Sequence, residues 1–294
     1  MKSLVIGMGI GKLYQSVLEG LGHTVITVDI NPNAKADYYD YVAAYLDHDH
    51  FDTVHICTPN YTHLNIARNV ASYGAKIVYV EKPGVENGGL WQRMVKDFPD
   101  TKFMMVKNNQ YRNEIKHFRE LAAQSDTVRI KWNNRNRIPS PGSWFTTKDQ
   151  AFGGVSRDLI PHMLSYYCTL ADYKAGTKTV SQAEQRWQLS EIDSTEYGFI
   201  NPKGTYNVDD YSRIEFTNGN TRWELEANWR SLEASEISIS FGMKSSAVRY
   251  ELGLCPTEAY RKMIEESISN LNNDAYWQQQ LEQDLWIHQQ IEVL

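Results

Sequence analysis

Asp158 and His162 stand four residues apart in this chain, a spacing that puts both side chains on one face if the segment is helical. A histidine titrates near neutral pH and can take or return a proton, and a neighbouring carboxylate can orient its ring or hold a hydroxyl. Far upstream, Glu81-Lys82-Pro83 follows the apolar run Ile77-Val78-Tyr79-Val80. A lysine at the carboxyl end of a strand faces the crevice where open α/β sheets bind ligands, and its ammonium can steady negative charge developing on an oxygen. A third cluster, Gly7-Met8-Gly9-Ile10-Gly11, comes directly after Leu4-Val5-Ile6. Glycines between a strand and a helix let backbone N–H groups approach a pyrophosphate. The spacing is GxGxG rather than GxGxxG, so Gly11 is expected to take the third glycine's part. Asp29 closes the next apolar run, 29 − 7 = 22 residues past Gly7, where an acidic residue that accepts from ribose hydroxyls is expected. Gly7, Gly9, Ile10, Gly11 and Asp29 therefore predict a bound dinucleotide. NAD is expected over NADP, because Asp29 repels a 2′-phosphate and Ile30-Asn31 supplies no arginine to offset it.

The elements that must position these residues follow from periodicity. Leu4–Ile6, Val25–Val28, Thr53–Cys57, Ile77–Val80 and Phe103–Val106 read as strands. Leu13, Val17, Leu18 and Leu21 mark one helix between them, and Leu64, Ala67, Val70 and Ala71 another that stops at Gly74. Strands alternating with helices predict parallel βαβ units. Past Asn108 the pattern changes to helices at Glu114–Ala123 and Asp158–Ala171 and a strand at Thr127–Trp132. Longer alternating strands follow at 179–188, 208–216, 221–229, 235–241 and 246–251. Asn218-Gly219 is a hairpin signal, since both residues tolerate positive φ. Helices near 257–270 and 274–292 close the chain. The reading is an α/β domain over 1–110 that binds the dinucleotide. Residues 111–294 form an α+β domain for substrate and self-association.

Composition narrows the classes. Thirty basic against 36 acidic residues give a net charge of −6, without the basic surplus of a nucleic-acid binder. No apolar run approaches the length that spans a bilayer. Three scattered cysteines make no disulfide framework and no zinc pair. The expectation is a cytoplasmic protein that binds neither membrane nor nucleic acid. Asp47-His48-Asp49-His50 carries metal-ligand residue types but reads as a solvated loop, so no metal is expected.

Val54-His55-Ile56-Cys57-Thr58-Pro59-Asn60-Tyr61-Thr62-His63, then Glu81-Lys82-Pro83, then Gly153-Gly154 with Asp158 and His162, resemble the Gfo/Idh/MocA oxidoreductases. Asp209-Asp210, Asn218-Gly219 and Trp229 extend the likeness into the C-terminal half. The resemblance implies an N-terminal Rossmann doubly wound parallel sheet and a C-terminal domain with a large open, mostly antiparallel sheet. It implies an active site between the domains, with Lys82, Asp158 and His162 as catalytic residues that also bind substrate. Thr58, Pro59, Asn60 and His63 match its cofactor-side loop, Glu81 and Pro83 flank the lysine, and the Lys82–Pro83 bond is expected to be cis. The implied reaction is hydride transfer between a nicotinamide and a sugar, cyclitol or nucleotide-sugar alcohol or ketone. A homodimer or homotetramer through the sheet is implied too. Ile160 and Pro161 depart from the family pattern, with Ile160 either narrowing the pocket or turning into the core.

Other residues have weaker claims. Lys107, Asn109 and Tyr111 lie at the domain junction and are candidates for substrate contact by position, and Trp144-Phe145 is a candidate sugar-stacking wall. Arg129, Lys131, Arg135 and Arg137 read as one solvated face with a possible anion role. Trp223, Leu225, Ala227 and Trp229 alternate on one strand, facing either the core or a second copy. Trp277, Leu281, Leu285 and Ile291 read as a packing stripe. Two competing functions remain at this stage: a non-catalytic NAD-binding sensor or scaffold, and a reductase of a non-sugar substrate on the same fold.

Overall fold

The computed structural model describes residues 1–193, 197 and 200–294. The chain divides into two compact units, Met1–Asn108 with Thr257–Gln289, and Asn109–Pro256 with Gln290–Leu294.

The first unit begins with β1 (Lys2–Ile6), α1 (Gly11–Gly20), β2 (Thr24–Val28), α2 (Tyr41–His48) and β3 (Thr53–Ile56). It continues with α3 (His63–Ser72), β4 (Ile77–Val80), α4 (Gly88–Asp97) and β5 (Lys102–Met105). All five strands are parallel, in the order β2-β1-β3-β4-β5. Beyond β2 a single parallel bridge joins Val28 to Tyr38. It stands where the usual dinucleotide-binding order 3-2-1-4-5-6 has a further strand. The chain order therefore reverses between β2 and β3 about β1, and the carboxyl ends of β1 and β3 flank that switch point. The strands β3 and β4 are buried throughout, as in a parallel sheet covered on both faces.

That need for cover explains a difference from the sequence reading, which placed both closing helices in the second domain. The helix α9 (Thr257–Ser269) and nearly all of α10 (Asp274–Ile291) belong to the first unit. Tyr260 meets Tyr14 of α1 edge-on at 5.4 Å, and the Ser267 hydroxyl meets that of Tyr79 in β4. The buried residues of α10 include Trp277, Gln280, Gln283, Asp284, Ile287 and His288. Leu281 and Leu285, expected in its packing stripe, are only half-buried. The helices α2 and α4 were not read from the sequence, and Asp47-His48, expected in a loop, forms the end of α2.

The second unit holds α5 (Ile115–Ala122), β6 (Thr127–Asn133), α6 (Lys148–Ala151), α7 (Val155–Asp158) and α8 (Ile160–Leu170). The strands β7 (Thr177–Glu184), β8 (Tyr211–Asn218), β9 (Thr221–Asn228), β10 (Glu236–Met243) and β11 (Ser246–Glu251) follow. They form a six-stranded sheet in the order β11-β10-β6-β9-β8-β7. Only β6 with β9 is parallel, so the sheet is mixed and mostly antiparallel. Its core face carries Val128, Ile130, Ile214, Phe216, Trp223, Leu225, Ala227, Ile239 and Phe241, all buried. The alternate residues of β6, β8 and β9 on the other face carry charge: Arg129 pairs with Glu224, and Arg222 bridges Glu215 and Glu224.

The single helix expected over Asp158–Ala171 is two. Asp158 ends α7, Leu159 intervenes, and His162 sits in the first turn of α8. Pro161 lacks the N–H that would have continued the ladder back to Arg157, and a proline is tolerated only in a helix's first turn. Ile160 is fully buried in the core.

Candidate functional site

The glycine loop divides its work among three positions. Gly7 follows β1 with φ +92° and donates its N–H to Val28 O at 2.8 Å. A Cβ there would lie 2.6 Å from Cys57 O and 3.0 Å from Thr58 N, so β1 and the exit of β3 approach each other only because the residue is glycine. Gly9 has nothing within 4 Å of a built Cβ, which leaves its backbone open to a large ligand. Gly11 begins α1 and is buried, and a Cβ on it would come 2.9 Å from Val5 Cγ1, so it permits close packing of helix on strand. These are the three parts that glycines play in a dinucleotide fingerprint. The loop being one residue shorter is absorbed by Gly11 at the first helical position. Ile10 stands at the N-cap and no side chain caps that end of α1; Leu13 N closes on Ile10 O at 2.9 Å, and the earlier N–H groups of the turn are candidate anion donors.

Asp29 follows β2 and is tied to this loop. Its Oδ2 accepts from Met8 N at 2.7 Å, and its Oδ1 accepts from Asn31 N at 2.8 Å. A carboxylate has about four acceptor positions, so a ribose diol can add to these two bonds. Ile30, next in the chain, is 87% exposed. The residues present thus fit NAD: a backbone cradle, an open approach at Gly9 and a fixed carboxylate at the second strand's end.

Thr58, Pro59 and Asn60 leave β3 half-buried and enter a short 3-10 turn ahead of α3. The Thr62 hydroxyl donates to Pro59 O at 2.7 Å and lies 2.6 Å from that of Thr58. His63 is fully buried, with Nδ1 2.6 Å from Gly84 O and Nε2 2.8 Å from Thr58 O. The expected cofactor-side histidine thus spends its ring on two backbone carbonyls. Burial lowers its pKa, and those two carbonyls oppose the shift.

Lys82 lies at the end of β4 and is half-buried, and the bond to Pro83 is cis. Glu81 N donates to Ile56 O at 3.0 Å, and Gly84 N closes the turn on Glu81 O at 2.9 Å. The Glu81 carboxylate accepts from Tyr14 OH at 2.6 Å. Burial, with Glu81 beside it, pushes the Tyr14 pKa well up, so the phenol stays a donor. Nothing in the sequence singled out Tyr14.

In the second unit Asp158 and His162 are half-buried. Trp229 Nε1 donates to Asp158 Oδ2 at 2.9 Å, and the Trp132 ring stacks on His162 with centroids 5.5 Å apart. The segment ahead of them is fixed by Asp209. Its carboxylate accepts from Gly154 N at 2.8 Å, Ser156 N at 2.7 Å and Ser156 Oγ at 2.8 Å. A Cβ on Gly154 would run into Asp209 O, which explains the glycine. Asp209 and Trp229 carried a family signal in the sequence but no role, and Trp132 carried none.

The remaining candidates divide. Asn109 is buried, and its Oδ1 accepts from Arg112 Nε at 3.1 Å and Tyr166 OH at 3.2 Å. Tyr111 ends a 3-10 turn and is half-exposed. Trp144 and Phe145 stack at 3.8 Å between centroids, both half-exposed. Lys107, a candidate by position, is buried against the Asp284 carboxylate instead. Arg129 and Lys131 pair with Glu224 and Glu233 on the outer sheet face, and Arg135 and Arg137 are exposed beyond the strand. Among the described residues no group of three or more His, Cys, Asp or Glu could hold a metal ion. No described helix is long and apolar enough to cross a membrane.

No family model matches the chain. Over 209 residues it is 25% identical to a protein of Amycolatopsis mediterranei assigned as a UDP-kanosamine synthase oxidoreductase subunit. That match covers 64% of this chain and 54% of the relative, so the chain spans about half the length of the curated relative it matches. Among solved structures it is similar to GenD2 from gentamicin A biosynthesis, in complex with NAD. The TM-score is 0.77 at 16% identity, over 100% of this chain and 92% of the other. It is also similar to a myo-inositol dehydrogenase from Corynebacterium glutamicum, with a TM-score of 0.71 at 10% identity over 98% and 94% of the two chains.

Proposed function

We propose that this chain, which has the fold of the Gfo/Idh/MocA-type dehydrogenases, is an NAD(H)-dependent oxidoreductase acting on a secondary alcohol or ketone. Its substrate is a sugar, cyclitol or nucleotide-linked sugar. The observation that carries this reading is the glycine loop of the first unit, with an open approach at Gly9 and Asp29 bonded to Met8 N. The similarity to GenD2, solved with NAD, and to enzymes named for a cyclitol and a nucleotide sugar supports the same reading.

Bound NAD(H) would supply the hydride-transfer chemistry. With Gly7 N and Met8 N already bonded within the protein, the backbone from Gly9 into the start of α1 would hold the pyrophosphate, and Asp29 would hold the adenosine ribose. Thr58, Pro59 and Asn60, with Ile10, Glu81 and Pro83, would complete the set that holds the cofactor. His162 takes the hydroxyl proton during oxidation and returns it during reduction. Lys82 hydrogen-bonds the reacting oxygen and stabilises its negative charge. Asp158, anchored by the Trp229 indole, orients the substrate hydroxyl or the imidazole. Tyr111 and Trp144 contribute to substrate binding, and Asn109 shapes that surface through Arg112 and Tyr166.

Fluorescence titration with NADH and NADPH tests the cofactor. NADH is expected to bind more tightly, and Asp29→Ala is expected to remove most of that preference. Tighter binding of NADPH, or no binding of either, would overturn the reading. Turnover is sought with NAD and a panel of myo-inositol, free hexoses and UDP-hexoses. A cytoplasmic setting suits the three free thiols. A second copy is proposed to cover the charged outer face of the six-stranded sheet, which carries the Arg129–Glu224, Arg222–Glu215 and Arg222–Glu224 pairs.

A further inference from the structure

The turn that carries Lys82 is held from a direction that the reaction does not require. The peptide group between Gly84 and Val85, two residues past the lysine, lies between two buried imidazoles. Its carbonyl faces His63 Nδ1 at 2.6 Å, and its N–H donates to His288 Nε2 over a longer 3.4 Å. The tautomer of His288 is set by its own helix: Nδ1 donates to Asp284 O at 2.7 Å, which leaves Nε2 as the acceptor that Val85 N requires. Gly84 has φ +79°, and a Cβ there would lie 2.9 Å from Cε1 and Nε2 of the His288 ring. Trp91 also packs against that ring, at 5.6 Å between centroids. His63, His288 and Trp91 are all buried, so these contacts do not compete with water.

The other ring nitrogen of His63, Nε2, faces the second cofactor-side loop, 2.8 Å from Thr58 O; a neutral imidazole donates to one of the two carbonyls, and to both only when it is protonated. One ring therefore spans the Thr58-Pro59-Asn60 loop and the Lys82 turn. The other ring comes from α10, which lies about 200 residues further along the chain.

We infer that His63 and His288 are positioning residues for Lys82, clamping the Gly84–Val85 peptide at its carbonyl and its N–H so that the lysine's turn keeps one geometry. This rests on the reading of Lys82 as a catalytic residue. Displacement of a reacting group by about 1 Å can cost on the order of 100-fold in rate, so a turn loosened on one side should be visible in kcat before it is visible in binding.

The test uses the full chain and four variants at the two histidines. His288→Leu removes the acceptor for Val85 N, while His288→Gln places an amide oxygen near the Nε2 position. His63→Leu removes the donor to Gly84 O, while His63→Asn retains an N–H near Nδ1. The first readout needs no substrate. The protein is labelled with limiting acetic anhydride, and acetylation of Lys82 relative to exposed Lys244 is read by mass spectrometry. Both Leu variants are expected to shift that ratio several-fold toward the exposed lysine, and the Gln and Asn variants to restore most of it. NADH affinity of the His288 variants is expected to stay within about twofold, as the glycine loop, Asp29 and the Thr58 loop are not touched. With a substrate from the panel, the Leu variants are expected to lose about 10–100-fold in kcat with little change in KM.

Folded Leu variants with wild-type labelling and kcat would overturn the proposal. If neither Leu variant folds, Gly84→Ala serves instead, because its Cβ presses on the same His288 ring. Wild-type labelling in folded Gly84→Ala would be equally fatal. Lys82→Met separates the two claims: full turnover in that variant refutes the catalytic reading of Lys82, while the Lys82 labelling ratio in the histidine variants still judges the clamp.

Discussion

Lys107→Met should destabilise the first unit strongly, and by an amount that depends on pH. Lys107 is 2% exposed and Asp284 0%. The ammonium pairs with Asp284 Oδ1 and also donates to Met105 O at 3.3 Å, while Asp284 Oδ2 accepts from Met105 N at 3.1 Å. Burial pushes the Asp284 pKa up, and the Lys107 charge is the main influence holding it down. Without Lys107 the carboxylate keeps one backbone bond and no counter-charge. Breaking one side of a buried pair typically costs about 3–5 kcal/mol. The protein can limit that cost by protonating Asp284, which from an unfolded pKa near 3.9 costs about 5 kcal/mol at about pH 7.5 and about 2 kcal/mol at about pH 5.5. The sign follows from linkage. The variant's native state binds the proton more tightly than its unfolded state, so its stability falls as pH rises, by up to about 1.4 kcal/mol per unit. Urea denaturation of wild type and Lys107→Met across that range measures the difference. Lys107→Met/Asp284→Leu should recover most of the loss at all pH values, because no charge is left unpaired. A single variant within about 1 kcal/mol of wild type at neutral pH, or a deficit that does not shrink on acidification, would refute the argument.

Turnover should fall about 10²–10⁴-fold in Lys82→Ala and in His162→Ala, and the double variant should be little worse than the poorer single one. NADH affinity, measured in parallel, should barely change, and a folded single variant with wild-type kcat would remove that residue from the mechanism. Gly7→Ala should abolish NADH binding or prevent folding, since its Cβ meets Cys57 O at 2.6 Å. Retention of wild-type NADH affinity would show that the loop is not the cradle. Sedimentation should find a dimer or tetramer at micromolar concentration that weakens with salt, as expected for a face of paired charges, and a salt-independent monomer would rule out assembly through that face.

The parts of the fold that announce themselves by apolar runs were legible. The strands β1, β3 and β4 and the hairpin at Asn218-Gly219 stand within a residue or two of where the pattern puts them. The glycine loop was legible because its spacing reflects close approach of backbone to backbone. What escaped has a common cause. The buried side of α10 holds Gln280, Gln283, Asp284 and His288, which apolar periodicity counts as surface, so the destination of the helix could not be read. Tyr14 and Trp132 carried no reading of their own and Trp229 was assigned to the core or to a second copy, yet two of them donate hydrogen bonds to carboxylates at or beside the candidate catalytic residues and the third stacks on one. Such roles depend on a partner distant in sequence, which no local pattern encodes. The break between Asp158 and His162 was half visible: Pro161 was noticed, but one missing N–H was not weighed as enough to split the helix.

The discontinuity of the first unit bears on how the protein is made and cut. Residues 1–108 hold every strand of the parallel sheet, yet the helices that cover Tyr79, pair with Lys107 and accept from Val85 emerge only after Asn109–Pro256 of the second unit has been synthesised. During translation at about 5–20 residues per second, the nascent nucleotide-binding half therefore waits many seconds with a bare ammonium in its interior and apolar sheet surface uncovered. A fragment ending at Asn108 is accordingly not an independent cofactor module. A nick in the chain ahead of Thr257 would endanger the half that lies farthest from it in sequence.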